Sequence, residues 1–513
     1  MIRNIKTTMP NLFQKYYFIL LLGILVLACF NIFANLNSYP IADWDEARHG
    51  VNAYEMLHNK NYIVNTYNYK TDYYNLKPSL SYWLIMLGYK LVGFSPLGLR
   101  LYSAVSALLT IILVALFVKK KHGKIACIIS TAVLATTSQY LLSHCARTGD
   151  ADSVYILLFT IAMISMAKIE DNINWIYLSG LSFSLAFLAK SWHAFAIVAI
   201  GGLYLLFSKY IFKLKLKQWL LFIASSILPI GLWAIFRYAK DGTKFFTEMI
   251  QYDLFARSAT PLEGHTGTVL YYFDVIENYY SYWLIILFGV FIGYLTLSNK
   301  NNKKKISGYT LTMLLWILVP FVAFSIAKTK LSWYIIPIYP ALAICIGAFS
   351  KKIITDLNKN NIVQFVLLFS LLLSLGLNER VIYLGIRSPH VDGSQSPIKQ
   401  LSDLPEYNGL DAYISYSAQN TIKKLKSFPE YNGVNAYTLC GTYGGSEFWD
   451  QSQFLAAELY RNLKPVNGGV KAFINDTNKS ILIVPKNANT DKIIKDNNLK
   501  IIIKTDSNLI LTK

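Results

Sequence analysis

Charge is scarce in this chain: Asp, Glu, Lys and Arg make up only 15% of its 513 residues, against about 25% in an ordinary soluble domain. A chain that is soluble throughout is therefore excluded. No Gly-rich phosphate cradle precedes a Lys-Ser or Lys-Thr pair, and no dinucleotide fingerprint follows a strand, which argues against ATP-driven chemistry. No Cys/His set has metal-ligand spacing. Cysteines are few and scattered: Cys29, Cys127, Cys145 and Cys345 lie in or at the ends of apolar segments, and Cys440 stands alone downstream, so no disulfide framework is expected. Acidic residues are also few, 29 against 49 Lys and Arg, for a net charge of +20. A nucleic-acid partner would need that charge gathered on one soluble face. Much of it lies instead in short loops between apolar runs, where it marks the cytoplasmic side of a membrane.

What is abundant is apolar sequence, 54% of the chain. Runs long enough to cross a bilayer as helices fall at 17–36, 97–118, 124–143, 152–168, 173–189, 191–208, 218–236, 281–297, 309–327, 331–349 and 362–378. The first has no cleavage site behind it and reads as a retained span. With about eleven spans and the N-terminus inside, Lys119–Lys121, Lys209–Lys217, Lys300–Lys305 and Lys351–Lys359 all fall in the cytoplasm. This arrangement requires 79–94 not to cross. That segment is short and carries Tyr82, Trp83 and Tyr89, so it is expected to lie in the outer interface. Loops 37–79 and 237–280 then face outward. The fold expected is an α-helical polytopic membrane domain over 1–380, followed by a small soluble α/β domain over 381–513. The strands of that domain are expected at Ala412–Tyr416, Ser480–Val484, Lys500–Lys504 and Leu509–Leu511, with a helix around Phe448–Leu463.

Ionisable residues gather at the outer rim, where burial near hydrocarbon is costly and function is the default reading. Asp45 and Glu46 follow the first span, with Arg48 beside them. They are either salt-bridge partners or an acid/base pair tuned by exclusion of water. Lys77 opens the interfacial helix and either snorkels or holds a lipid phosphate. Arg147, Asp150 and Asp152 occupy a turn between two spans. One acid would suffice as a cap; two acids with an Arg suggest more. His265 lies in the second long loop. Lys328 and Lys330 put two positive charges outside, against the usual bias, and suggest an anionic ligand near Tyr334.

The stretches Asp45-Glu46-Ala47-Arg48, Lys77-Pro78-Ser79-Leu80-Ser81-Tyr82-Trp83-Leu84, Arg147–Asp152 and Lys330–Ala343 occur in order over about 40–350. They resemble the bacterial GT-C glycosyltransferases, namely the aminoarabinose transferases of lipid A and the related dolichyl-phosphate-mannose–protein mannosyltransferases. The resemblance implies an enzyme of the bacterial inner membrane that works on the periplasmic side with inversion. Its donor would be a polyprenyl-phosphate sugar and its acceptor a lipid A-like glycolipid, a protein or a surface glycan. Asp45 would sit at the catalytic centre with Asp152 near it and Glu46 and Asp150 in support, while Lys77 would lie by the donor phosphate. Tyr82, Arg48, Arg147, His265, Lys328, Lys330 and Tyr334 complete the expected binding set. Leu76 stands where the aminoarabinose transferases have a Glu that shares a metal with a loop His, so neither that metal nor that sugar is expected. Membrane lipids are the expected surroundings and a monomer the expected state. A transporter or flippase is the alternative, but it would place its charges near the bilayer midplane.

Overall fold

The computed structural model describes residues 9–38, 40–262, 264–297, 306–357, 361–387, 417–442 and 444–513. The expected strand Ala412–Tyr416 lies outside them. Thirteen helices build the first part: α1 (Tyr17–Phe33), α2 (Asp45–His58), α3 (Leu80–Val92), α4 (Pro96–His122), α5 (Lys124–Ala135), α6 (Asp152–Ala167), α7 (Trp175–Lys190), α8 (Phe195–Phe207), α9 (Leu216–Asp241), α10 (Tyr271–Leu297), α11 (Gly308–Ile326), α12 (Tyr339–Asp356) and α13 (Asn361–Arg387), with shorter helical pieces between them. Seven helical stretches among the described residues are long and apolar enough to cross a membrane, and α1, α3, α5 and α6 are shorter apolar helices.

Local chemistry explains where the helices depart from the expected runs. The run 124–143 breaks after α5, where Thr136 caps the helix and Thr136 and Thr137 donate their hydroxyls to the carbonyls of Ala132 and Val133. The run 331–349 starts as a 3-10 turn, Ser332–Ile338, and becomes α-helical only at Tyr339, past Pro337. The stretch Trp175–Phe207 is interrupted at Ser191, whose φ of 48° no helix can accept. The domain boundary expected at 380/381 falls inside α13.

α9 shows most directly what solvent the bundle expects. Only 6% of its most apolar window is buried within the protein, and Leu228 and Ile235 are more than half exposed. Soluble proteins rarely expose apolar patches of this extent; in lipid the same surface is at no disadvantage.

The last part is an α/β unit. β3 (Asn435–Thr438), β4 (Lys464–Pro465), β5 (Ser480–Pro485), β6 (Lys500–Lys504) and β7 (Asn508–Thr512) form one sheet in the order β4-β3-β5-β7-β6. A two-stranded ladder of β1 (Thr66–Tyr67) and β2 (Lys70–Thr71) lies far upstream, after α2. β4, β3 and β5 run parallel, and β7 is antiparallel to β5 and β6. Helix α14 (Gln451–Arg461) packs directly on α2.

Candidate active site

One cavity collects side chains from helix ends and the loops between them: Asp45 and Arg48 of α2, Lys77, the turn 144–152, Lys190 to His193, Asp253 and Arg257, His265, Trp333 and Tyr334. α2 opens at Asp45, and the residue before it, Trp44, has a φ of 62°. For a bulky side chain that backbone is strained, and such strain concentrates at functional sites. The Asp45 carboxylate looks into the cavity 3.7 Å from the Lys77 ammonium, which Asn75 Oδ1 also holds at 3.3 Å. Its position among protein atoms in a cavity mouth would by itself favour a protonated Asp45. Lys77, helped by His144, His49 and Arg257, outweighs this and keeps the carboxyl well below its usual range. One turn on, His49 uses Nδ1 against the Asp45 carbonyl at 2.6 Å. Burial, with Lys77 next in importance, pulls its pKa down to about 4, so the ring is neutral at pH 7.

The turn before α6 faces Asp45. His144, at φ 48°, lies flat on Trp333 with ring centroids 3.6 Å apart, and its Nδ1 is 3.2 Å from Asp150 Oδ2. Burial opposes charge on that ring, but Asp150, Asp45 and Asp152 prevail and hold its pKa above the ordinary histidine value. Asp152 is ion-paired with Lys190 at the end of α7. Ser191 donates to Asp253 at 2.7 Å, and Asp253 also accepts from Arg257 Nε at 3.2 Å. Arg257 leaves the π-helical turn Met249–Ala256, an irregularity frequent at functional sites, and reaches the Tyr334 hydroxyl at 3.3 Å. The cavity thus sets acids and cations side by side: Lys77 with Asp45, Lys190 with Asp152 and Arg257 with Asp253.

Residues 76–233 match the profile of the dolichyl-phosphate-mannose-protein mannosyltransferase family. An uncharacterised protein of Aquifex aeolicus is 25% identical over 377 residues, covering 71% of this chain and 70% of its own length. The undecaprenyl phosphate-α-4-amino-4-deoxy-L-arabinose arabinosyl transferase of Pectobacterium atrosepticum is 27% identical over 319 residues, 60% of this chain. The chain spans only 54% of that enzyme's length. The crystal structure of ArnT from Cupriavidus metallidurans bound to undecaprenyl phosphate superposes with a TM-score of 0.66 over 97% of this chain and 98% of that one, at 14% identity, which is a likeness of fold. Over residues 76–233 the chain is similar to the protein mannosyltransferase family, and its fold is like that of ArnT.

Several residues expected at the site are engaged elsewhere. Glu46 turns away from the cavity and is buried against Arg100, with Nε–Oε1 2.6 Å and Nη2–Oε2 2.8 Å. It also accepts the Gly149 N–H and the Ala42 N–H, both at 2.7 Å. Arg147 donates to the carbonyls of Asn31, Ile32 and Ala34 and caps α1. Lys330 Nζ donates to the carbonyls of Phe324, Ser325 and Ala327 and caps α11 in the same way. Both satisfy the carbonyls that a helix end leaves open, so the Lys330 ammonium is turned to backbone rather than to the anion expected for it. Lys328 is exposed and does not line the cavity. Arg48 lines it but pairs in bidentate fashion with Asp72, with two bonds of 2.8 Å, between the Tyr67 and Tyr74 rings at 4.5 Å each. Tyr82 is buried behind the wall, where its ring supports His49 at 5.6 Å.

Asp45, Lys77, Asp150, Asp152, His265 and Tyr334 do line one cavity. His49, His144, Lys190, Asp253 and Arg257 join them unforeseen. In the sequence, Lys190 falls between two apolar runs and His144 six residues before Asp150, and neither spacing ties them to Asp45. The metal that the resemblance implies does not fit: Leu76 is apolar, 4% exposed, and offers His265 no partner ligand. A different set, Asp45, His144 and Asp150, could hold a cation, since one ligand atom from each lies within 4.8 Å of the others.

Proposed function

We propose that the chain is an inverting glycosyltransferase of the bacterial inner membrane. It would take a sugar from a polyprenyl-phosphate carrier and pass it to a lipid A-like glycolipid at the periplasmic lip of about eleven spans. The observation that carries this reading is the meeting of Asp45 and Lys77 in one cavity that Asp152 and Arg257 also line. The curated relatives named as undecaprenyl-phosphate sugar transferases support the substrate class.

The donor phosphate lies against Lys77 and Arg257, two cations placed where negative charge grows as the bond to the sugar breaks. Once Lys77 turns to the phosphate, Asp45 loses its strongest cationic neighbour and becomes a better base. It takes the proton of the acceptor hydroxyl or amine as that group attacks the anomeric carbon. The carbon–oxygen bond to phosphate breaks on the opposite face, polyprenyl phosphate leaves, and the anomeric configuration inverts. Asp152, held by Lys190, and the His144–Asp150 pair keep the acceptor side anionic and rigid. No step passes through a metal.

The test compares the parent chain with Asp45→Asn by mass spectrometry of membrane lipids. The parent should add one sugar mass to a glycolipid. The variant should fold and bind undecaprenyl phosphate yet lose transfer by about 10²–10⁴-fold, the usual worth of a positioned base. Full transfer by Asp45→Asn would remove this mechanism.

A further inference from the structure

Among the described residues, the C-terminal unit reaches the cavity through one side chain. Gln451, the first residue of α14, lines the same cavity as Asp43 and Asp45. Its amide oxygen is buried and has no hydrogen-bond partner among the described residues. Buried amide oxygens are nearly always bonded, and one left open calls for an explanation.

Gln451 is not there by the chance fall of a loop. Ser452 N–H donates to Asp43 at 2.7 Å, which ties the first turn of α14 to the segment leading into α2. Ile41 and Gln419 exchange two bonds, 3.1 and 3.2 Å. Tyr54 donates to Asn462 at 2.7 Å. Phe454 stacks on Tyr67 at 4.9 Å, the ring that carries Arg48 on its face. At Gly50 an added Cβ would come 2.3 Å from Leu455 Cδ2, so α2 and α14 meet where α2 has no side chain.

We infer that the C-terminal unit completes the transfer pocket, and that Gln451 is a specificity residue whose amide hydrogen-bonds a hydroxyl or amino group of the sugar or of the acceptor headgroup. An amide oxygen accepts such a donor and offers nothing to a phosphate, which Lys77 and Arg257 take. This assignment rests on the transfer function proposed above.

The experiment uses the full-length chain in detergent or nanodiscs, as parent, Gln451→Ala, Gln451→Asn and Lys77→Ala. Undecaprenyl phosphate binding reads the phosphate subsite alone. Transfer from a polyprenyl-linked donor fraction to a glycolipid fraction of the same membranes reads both substrates. Gln451→Ala should bind undecaprenyl phosphate as the parent does, while Lys77→Ala should not. Gln451→Ala should raise the KM for one substrate by about tenfold, the worth of one hydrogen bond, with kcat within a factor of about three. The substrate whose KM moves tells whether the partner group belongs to the sugar or to the acceptor. Gln451→Asn keeps the amide but withdraws it by one methylene and should fall between the two; it also serves if the alanine variant proves unstable. Parent KM values for both substrates in both Gln451 variants would overturn the assignment while leaving the transferase reading intact. A parent chain that neither binds undecaprenyl phosphate nor transfers sugar would overturn both.

Discussion

The first turn of α2 has two sides, and a single step along the chain separates them. Asp45 and Glu46 are adjacent acids, about 100° apart around the helix. Asp45 opens to the cavity, with its side chain 46% exposed and only a 3.7 Å ion pair to Lys77. Glu46 is sealed, with its side chain at 0% exposure and its oxygens spent on Arg100 and two backbone N–H groups. One side leaves capacity for substrate, and the other uses all of it to fasten α2 to α4 and to the turn at Gly149. The lesson is that an acidic pair at a membrane rim can be half chemistry and half scaffold. The partner across the fold decides which half is which.

The sharpest way to break that comparison is to remove the scaffold acid. Glu46→Ala leaves Arg100 buried without its counter-ion, an uncompensated charge worth about 3–5 kcal/mol. The expected result is a chain that melts or aggregates in detergent before any assay, measured as thermal unfolding by size-exclusion recovery. An ordered, normally stable but inactive Glu46→Ala protein would instead place Glu46 with the chemistry. Lys77→Met tests the other side. It removes one charge-assisted contact to phosphate, about 1.5–3 kcal/mol, and should weaken undecaprenyl phosphate binding by about 10–100-fold with the melting temperature little changed.

The sequence made the first half of this picture legible for a physical reason. Apolar runs must be long to cross lipid, so most helices of the bundle could be placed from hydropathy. The rim position of Asp45, Lys77 and Asp152 follows from the same runs. What could not be read was the use of each cation. Arg147 and Lys330 cap helix ends through backbone carbonyls, and a cation at a span end looks the same in sequence whether it faces a carbonyl or a phosphate. His144, Lys190 and Arg257 reach the site only through contacts between distant helix ends, which leave no local spacing behind. Three strands of the C-terminal unit, β5, β6 and β7, showed as short apolar runs. Their seat on α2 did not, because it depends on single residues such as Gly50 and Gln419.

Lys330→Met sharpens the scaffold side at lower cost. Three carbonyls at the end of α11 would lose their donor. Water can reach part of this region, so the loss should be about 1–2 kcal/mol, seen as a modest drop in melting temperature with undecaprenyl phosphate affinity unchanged. A selective loss of affinity would return Lys330 to the phosphate-binding set.

The smallest expected effect concerns the face of α2 that carries neither substrate nor Arg100. Glu55 on α2 meets Glu458 on α14. Burial and the nearness of Glu55 push the Glu458 carboxyl far above its ordinary range, and burial likewise raises Glu55. A carboxyl whose folded pKa exceeds its unfolded value favours the docked state fully below the unfolded value. That contribution is lost as pH rises through the folded one. The seat of the C-terminal unit should therefore loosen from mildly acidic to alkaline pH, read as faster amide exchange in α14 after correction for intrinsic rates. Glu458→Gln keeps a donor for Glu55 and removes one titrating group, so it should flatten the dependence and slow exchange on the alkaline side. An equally steep profile in Glu458→Gln would shift the effect to Asp43, whose pKa is raised to about 7 by burial and by Asp450, at the turn that brings Gln451 into the cavity.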